Sequence, residues 1–293
     1  MSRTLAGVLL QLAALALFVA MDSLLKLLVA HHPVPQLMFV RFVFHTIMVA
    51  LAIRLFTGSL PWRSRAPGLQ TLRSAILAVA NAALSVALIH VPLADATAVA
   101  FAAPVLTVAA AALWLGEKVS PRRWLGVGIG LAGVLLALRP PFLTGESLHW
   151  AMLLPLVTAL ANTGYQLLTR RLATVDDPRT TFLHTSVAAA VLTSLAQPFV
   201  WQPPGLWDWP LFAALGLLGA AGHCLLVLAF ARAPASLLAP LSYTQLLWAG
   251  FAGVLLFGEW PDAWTLAGAA VIATGGVLVA LPERRDRKEK TLA

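Results

Sequence analysis

Three ionisable side chains, Asp22, Lys26 and Arg41, stand inside runs of otherwise apolar residues. A charge at the centre of a membrane-spanning helix costs about 2.5–3.5 kcal/mol on insertion scales, so each of these groups marks a candidate site. Asp22 and Lys26 are i,i+4 neighbours and share one helix face. Counted from the turn at His31-His32-Pro33, Asp22 lies ten residues before His32 and Arg41 nine after it. The two therefore sit at matching depth. One chemistry for such a cluster is structural, an Asp22–Arg41 ion pair that fastens a helical hairpin. The other is functional: a gate on an outer vestibule, or a carboxylate and a guanidinium that meet a substrate's ammonium and carboxylate.

A second set lies in mid-run: Asn81, Ser85, Phe101, Tyr165, His223, Tyr243 and Trp248. Packing is the commoner role for aromatic rings among helices, but a polar and aromatic set at one depth also suits a substrate cavity. His45, one turn from Arg41, is its expected neighbour. His223 is read as a satisfied core residue, although an unperturbed pKa of about 6.5 would let it carry a proton. Trp201, Trp207, Trp209, Trp260 and Trp264 fall at the ends of apolar runs, as an aromatic belt expects.

Enzymatic readings find less support. His90 and Asp95 spell the His-x4-Asp of some acyltransferases, in which the histidine would be the general base. They lie at a run's end without a partner motif, so membrane-embedded acyl transfer is a remote alternative. Asp176-Asp177 lacks a second acidic pair for magnesium-pyrophosphate chemistry and reads as a helix cap. No glycine-rich Lys-Ser/Thr loop is present to cradle ATP phosphates. Cys224 is the one cysteine, which excludes an internal disulfide and a multi-cysteine metal site. No cofactor, metal or ATPase subunit is called for.

The elements that position these residues follow from composition. Of 293 residues, 60% are hydrophobic and 11% charged, with a mean hydropathy of +0.85. Soluble domains average about 45–50% apolar and about 25% charged residues. A soluble enzyme, a disordered chain and a nucleic-acid-binding domain are excluded together. The formal charge of +8 then reports topology rather than a nucleic-acid partner. A span needs about 20 apolar residues. Windows of that length fall at 5–29, 35–55, 69–90, 95–115, 122–138, 149–169, 180–200, 210–231, 235–256 and 263–281. The fold expected is an all-α integral membrane protein of ten transmembrane helices. The runs are continuous rather than alternating, which argues against a β-barrel. The first has no clear small-residue cleavage site and reads as an uncleaved span. Pro104, Pro155 and Pro240 are expected to kink their spans.

With an N-terminus in the cytoplasm, seventeen of the twenty Lys and Arg residues fall on that side, Arg73 among them. Both termini are therefore expected inside. The chain also resembles itself at a spacing of 142 residues. Pro92 matches Pro234, Gly116-Glu117 matches Gly258-Glu259, and Gly126, Gly133 and Pro140 match Gly268, Gly275 and Pro282. Near the start of each copy, Asp22, Lys26 and Arg41 correspond to the uncharged Asn162, Gln166 and His184. Five spans per copy force opposite insertion, giving residues 1–140 and 141–282 as inverted repeats and 283–293 as a basic tail. Inverted repeats are the architecture of many secondary transporters, whose sites lie near the midplane where the copies meet.

The stretch Ala96 to Leu138, and its second copy Ala235 to Leu281, resembles the end of an EamA domain of the drug/metabolite transporter superfamily. Arg41, in Val40-Arg41-Phe42, resembles the basic residue often found in that family's second span. The second copy departs from the first in having Leu246 where the first has Pro104. The resemblance implies a ten-helix bundle that moves small metabolites without a cofactor. Within the superfamily the chain looks most like bacterial exporters of aromatic and other neutral amino acids; export of another metabolite or a drug-like solute is the alternative. The partners implied are a small-molecule substrate and the lipid bilayer.

Overall fold

The computed structural model describes residues 3–114, 120–138, 149–172, 175–230, 232, 241 and 244–280. Among the described residues every regular element is helical. The first half comprises α1 (Arg3–Leu28), α2 (Val34–Thr57), α3 (Pro67–His90), α4 (Leu93–Ala100), α5 (Ala103–Trp114) and α6 (Pro121–Leu138). The second half opens with a 3-10 turn at Trp150–Leu153 and continues as α7 (Leu154–Leu172), α8 (Pro178–Ser194), α9 (Gln197–Val200), α10 (Asp208–Phe230), α11 (Thr244–Phe257) and α12 (Ala263–Ala280).

Prolines punctuate these helices, but not always as expected. Residue 104 has no N–H to offer the Ala100 carbonyl, so the fourth span breaks into α4 and α5 around Phe101. Pro155 is not a mid-span kink. It is the second residue of α7, where a missing N–H costs nothing, and it marks the change from 3-10 turn to α-helix. Pro240 lies outside the described residues.

Burial runs opposite to that of a water-soluble protein. Gln11, Gln36, Arg41, Gln70, Arg73 and Ser85 are buried, while Leu55, Phe56, Leu113, Phe199, Leu247 and Leu255 are exposed around the rim. Five of the helices are long and apolar enough to cross a bilayer, and shorter apolar helices complete the set. A lipid-facing exterior accounts for both patterns. The chain is a multi-pass membrane protein.

The contacts repeat when the two halves are exchanged. α1 packs on α10 as α7 packs on α3; α2 on α10 as α8 on α3; and α1 on α11 as α7 on α5. Two pairs map onto themselves, α2 with α8 and α6 with α12. The α6–α12 crossing uses the glycines of the 142-residue repeat. A methyl group on Gly133 would stand 2.6 Å from the Ile272 nitrogen, and one on Gly275 would stand 2.6 Å from the Gly126 oxygen. The Gly126-Gly130 step therefore packs against the other half of the same chain.

Candidate functional site

Two adjoining cavities lie inside the bundle, of about 760 and 1130 Å³ including their open mouths. Asn81, Leu84, Thr158 and Asn162 line both, so the two cavities adjoin at residues contributed by both halves. Arg41, His45, Tyr165, Phe182 and His223 line the first cavity. Asp22, Gln11, Phe18, Phe101, Gln166 and Gln245 line the second.

The charged cluster expected at Asp22, Lys26 and Arg41 divides. Asp22 and Arg41 feel each other's charge from the two adjoining cavities, but no contact within 4.0 Å joins them, so the expected fastening pair is not formed. Arg41 is 5% exposed, the Nε of its guanidinium has no hydrogen-bond partner, and the Phe42 ring lies 5.7 Å from Cζ to centroid. Lys26 leaves the cluster altogether. Its Nζ lies 2.6 Å from both carboxylate oxygens of Glu259 and 4.8 Å from the Phe257 ring centroid. One turn of helix separates Asp22 from Lys26 and is enough to send them to different partners.

Glu259 reaches Lys26 because Gly258 adopts φ +66° at the end of α11, a left-handed conformation that glycine takes without steric cost. The Gly258 N–H bonds back to the Val254 oxygen and the Glu259 N–H to the Gly253 oxygen, which turns the carboxylate toward α1. The carboxylate also accepts from the Leu93 N–H at 3.3 Å, tying α4 to the same point. Nearby, Gln36 and Gln202 exchange two hydrogen bonds, and His32 approaches Asp208 to 3.4 Å.

The opposite end of the bundle is closed by Asp176. Its carboxylate accepts from the Ser64 hydroxyl at 2.5 Å, the Arg65 N–H at 2.8 Å and the Gln70 amide at 2.8 Å. Burial alone would raise its pKa, but these three donors outweigh it and hold the carboxyl below the usual range. Asp177, not Asp176, is the cap of α8, accepting from the Arg179 N–H at 2.7 Å.

Arg73 is the clearest residue that sequence reasoning missed. It was counted with the cytoplasmic charges near the start of the 69–90 span, yet Pro67 starts α3 and places Arg73 almost two turns inside, where it is 3% exposed. Its guanidinium bonds to Tyr165, Thr169, Thr181 and Thr185, and among the described residues no carboxylate is in contact with it.

Other expected site residues scatter. Asn81 and Tyr165 line the cavities, as do Phe101 and His223, and the His223 ring packs 4.9 Å from Phe18 and 5.7 Å from His45. Ser85 is fully buried, spends its hydroxyl on the Asn81 carbonyl at 2.7 Å, and lines neither cavity. Trp248 is 41% exposed and also lines neither, because α11 turns that ring toward the rim. Tyr243 lies outside the described residues. The His90–Asp95 motif comes apart: His90 packs on the Trp150 ring, while Asp95 accepts from the Thr265 hydroxyl at 2.6 Å. Among the described residues, no group of three His, Cys, Asp or Glu side chains is arranged to hold a metal.

The sequence pattern of the EamA-like transporter family matches residues 5–139 and again residues 149–281. The chain belongs to that family. As an EamA-like transporter it is similar to an S-adenosylmethionine uptake transporter of Rickettsia bellii, 25% identical over 87% of this chain and 86% of that protein. It is also similar to a riboflavin transporter of Rhizobium johnstonii, 31% identical over 78% and 73% of the two chains. A pseudopaline exporter of Pseudomonas aeruginosa is 29% identical over 91% and 93%. A solved crystal structure covering 95% of this chain and 98% of its own has a TM-score of 0.65 at 24% identity, which is a likeness of fold.

Proposed function

We propose that this transporter exports small zwitterionic metabolites, aromatic and other neutral amino acids foremost, across a bacterial inner membrane by alternating access. In this reading residues 1–140 and 141–282 are the two rocking repeats, 283–293 is a cytoplasmic tail, and both termini are inside. The Lys26–Glu259 end is then periplasmic and the Asp176 end cytoplasmic.

The observation that carries the reading is the Arg41 guanidinium, whose Nε has no hydrogen-bond partner, lining the first cavity while Asp22 lines the second cavity that adjoins it. Two opposite charges without direct contact leave each other's ligand positions free. A carboxylate on Arg41 and an ammonium near Asp22 would compensate both, with charge-assisted bonds about twice as strong as neutral ones. Phe18, Phe101, Tyr165 and Phe182 supply apolar wall. Pockets of about 300–1,000 Å³ with few polar groups suit small solutes.

Relatives named for uptake and for export show that direction differs between members. The charged residues of the first repeat and their neutral counterparts Asn162, Gln166 and His184 in the second support a directional preference here. The test is counterflow in proteoliposomes containing the purified protein alone. Phenylalanine, tyrosine, leucine and alanine should exchange against themselves in a concentration-dependent way. Absence of exchange for every amino acid would sink the substrate assignment.

A further inference from the structure

We infer that the Tyr165 hydroxyl is a second hydrogen-bond donor for the substrate's carboxylate, and that Arg73 is the residue that holds it in that role. The inference rests on the zwitterion reading above and assigns part of its recognition to a residue outside the cavity wall.

Hydrogen-bond accounting at Arg73 leads there. Its Nε donates to the Thr169 hydroxyl at 2.6 Å, and that hydroxyl spends its own proton on the Tyr165 carbonyl at 2.6 Å. One terminal nitrogen donates to the Thr185 hydroxyl, whose proton goes to the Thr181 carbonyl at 2.6 Å. The other terminal nitrogen donates to the Tyr165 phenol oxygen at 2.6 Å. A guanidinium has donors and no acceptor, so the phenol proton cannot point back at Arg73. Among the described residues the Tyr165 hydroxyl has no acceptor for that proton. The two threonine hydroxyls are committed to the backbone; the phenol alone ends the network with a free O–H.

That O–H belongs to a side chain lining the same cavity as Arg41. A buried cation bonded to the phenol oxygen also polarises the O–H and makes it a better donor. The Arg73 guanidinium lies 4.3 Å from the Tyr165 ring centroid, which fixes the ring as well as the oxygen. Arg41 and Tyr165 thus offer donors from different halves of the chain to one oxyanion. A carboxylate bridging them would couple its binding to the fit between the halves.

The experiment measures binding by calorimetry on the purified full-length protein, with L-phenylalanine, L-phenylalaninamide and 3-phenylpropionate as probes. Tyr165→Phe removes one oxygen and keeps the ring. It should weaken phenylalanine and 3-phenylpropionate by about ten- to a hundredfold, as for a bond to a charged group, and the amide by no more than about two- to tenfold, as for a neutral bond. Arg73→Lys keeps the charge but not the fork; it should reproduce that selective loss and add nothing further in the Tyr165→Phe background. Equal weakening of all three probes, or of none, would overturn the inference, as would failure of the wild type to bind any of them. Should Arg73→Lys fail to fold, Tyr165→Phe alone decides. If phenylalanine shows no counterflow while Tyr165-dependent binding of 3-phenylpropionate persists, the amino-acid reading falls and the subsite stands. Robust counterflow without carboxylate discrimination gives the reverse.

Discussion

Lys26 and Glu259, separated by 233 positions in the chain, meet with both carboxylate oxygens 2.6 Å from one ammonium. The contact joins α1 of the first half to the turn after α11 of the second, at the end of the bundle opposite Asp176. In the internal repeat Glu259 corresponds to Glu117 at a spacing of 142 residues, and Lys26 to Gln166 at a spacing of 140. The repeat-related positions are therefore not a second Lys–Glu pair, and among the described residues the other end is held by the hydroxyl, N–H and amide donors around Asp176.

Breaking this pair should destabilise the protein by about 1.5–3 kcal/mol for either Lys26→Met or Glu259→Gln, the range for a hydrogen bond to a charged group. The exchanged pair, Lys26→Glu with Glu259→Lys, should recover at least half of the loss. Thermal unfolding in detergent measures all three. Strictly additive losses in the exchanged protein would show that the contact contributes nothing.

The α6–α12 crossing gives a prediction with an internal control. Gly133→Ala and Gly275→Ala each drive a methyl against backbone atoms 2.6 Å away, and should cost about 1–3 kcal/mol from overpacking. Gly128, on the same helix, has nothing within 4 Å of the added methyl. Gly128→Ala should be neutral or stabilising by up to about 1 kcal/mol. Equal melting shifts for Gly128 and Gly133 would contradict the packing.

Asp176 predicts an acid-sensitive end. Its folded pKa lies below the unfolded value of about 3.9. The stabilisation is therefore fully present above that value and is lost as pH falls through the lower, folded pKa. Melting temperature followed from pH 6 downward should drop in the wild type with a shallower limb in Asp176→Asn. Coincident profiles would assign the acid sensitivity elsewhere.

The cavity charges should divide the substrate between them. Arg41→Gln should raise KM for amino acids with little change for decarboxylated amines, while Asp22→Asn should spare deaminated acids. Trp248→Ala serves as a control, because that ring lines neither cavity; it should leave the ratio of bulky to small substrates unchanged. Uptake by proteoliposomes at matched protein level reads each outcome. A uniform loss across analogues would make both charges structural.

The topology can be checked independently. Reporter fusions after Arg139 and after Ala293 should signal opposite sides of the membrane, with the second inside. Removing Arg73 from the cytoplasmic count still leaves sixteen of the twenty basic residues on that side. Matching signals would remove the opposed insertion of the two halves.

Much of the architecture was legible one residue after another. Span length, the break near Pro104 and the 142-residue spacing of Gly126, Gly133, Gly268 and Gly275 are properties of a linear string. Hydropathy, a missing N–H and a missing side chain act through local chemistry, so their consequences did not wait on the fold. Which side chain meets which was a different matter. In a water-soluble helix the apolar stripe identifies the inner face, but lipid is as apolar as a protein core, so these helices carry little hydropathy contrast between faces. For that reason Trp248 was expected in a cavity and stands at the rim, and Arg73 was counted with the cytoplasmic surface charges and lies buried inside α3. Lys26 was grouped with Asp22 and instead pairs with Glu259. Each of those outcomes depends on helix rotation and on neighbours from the other half of the chain, which only the packed bundle decides.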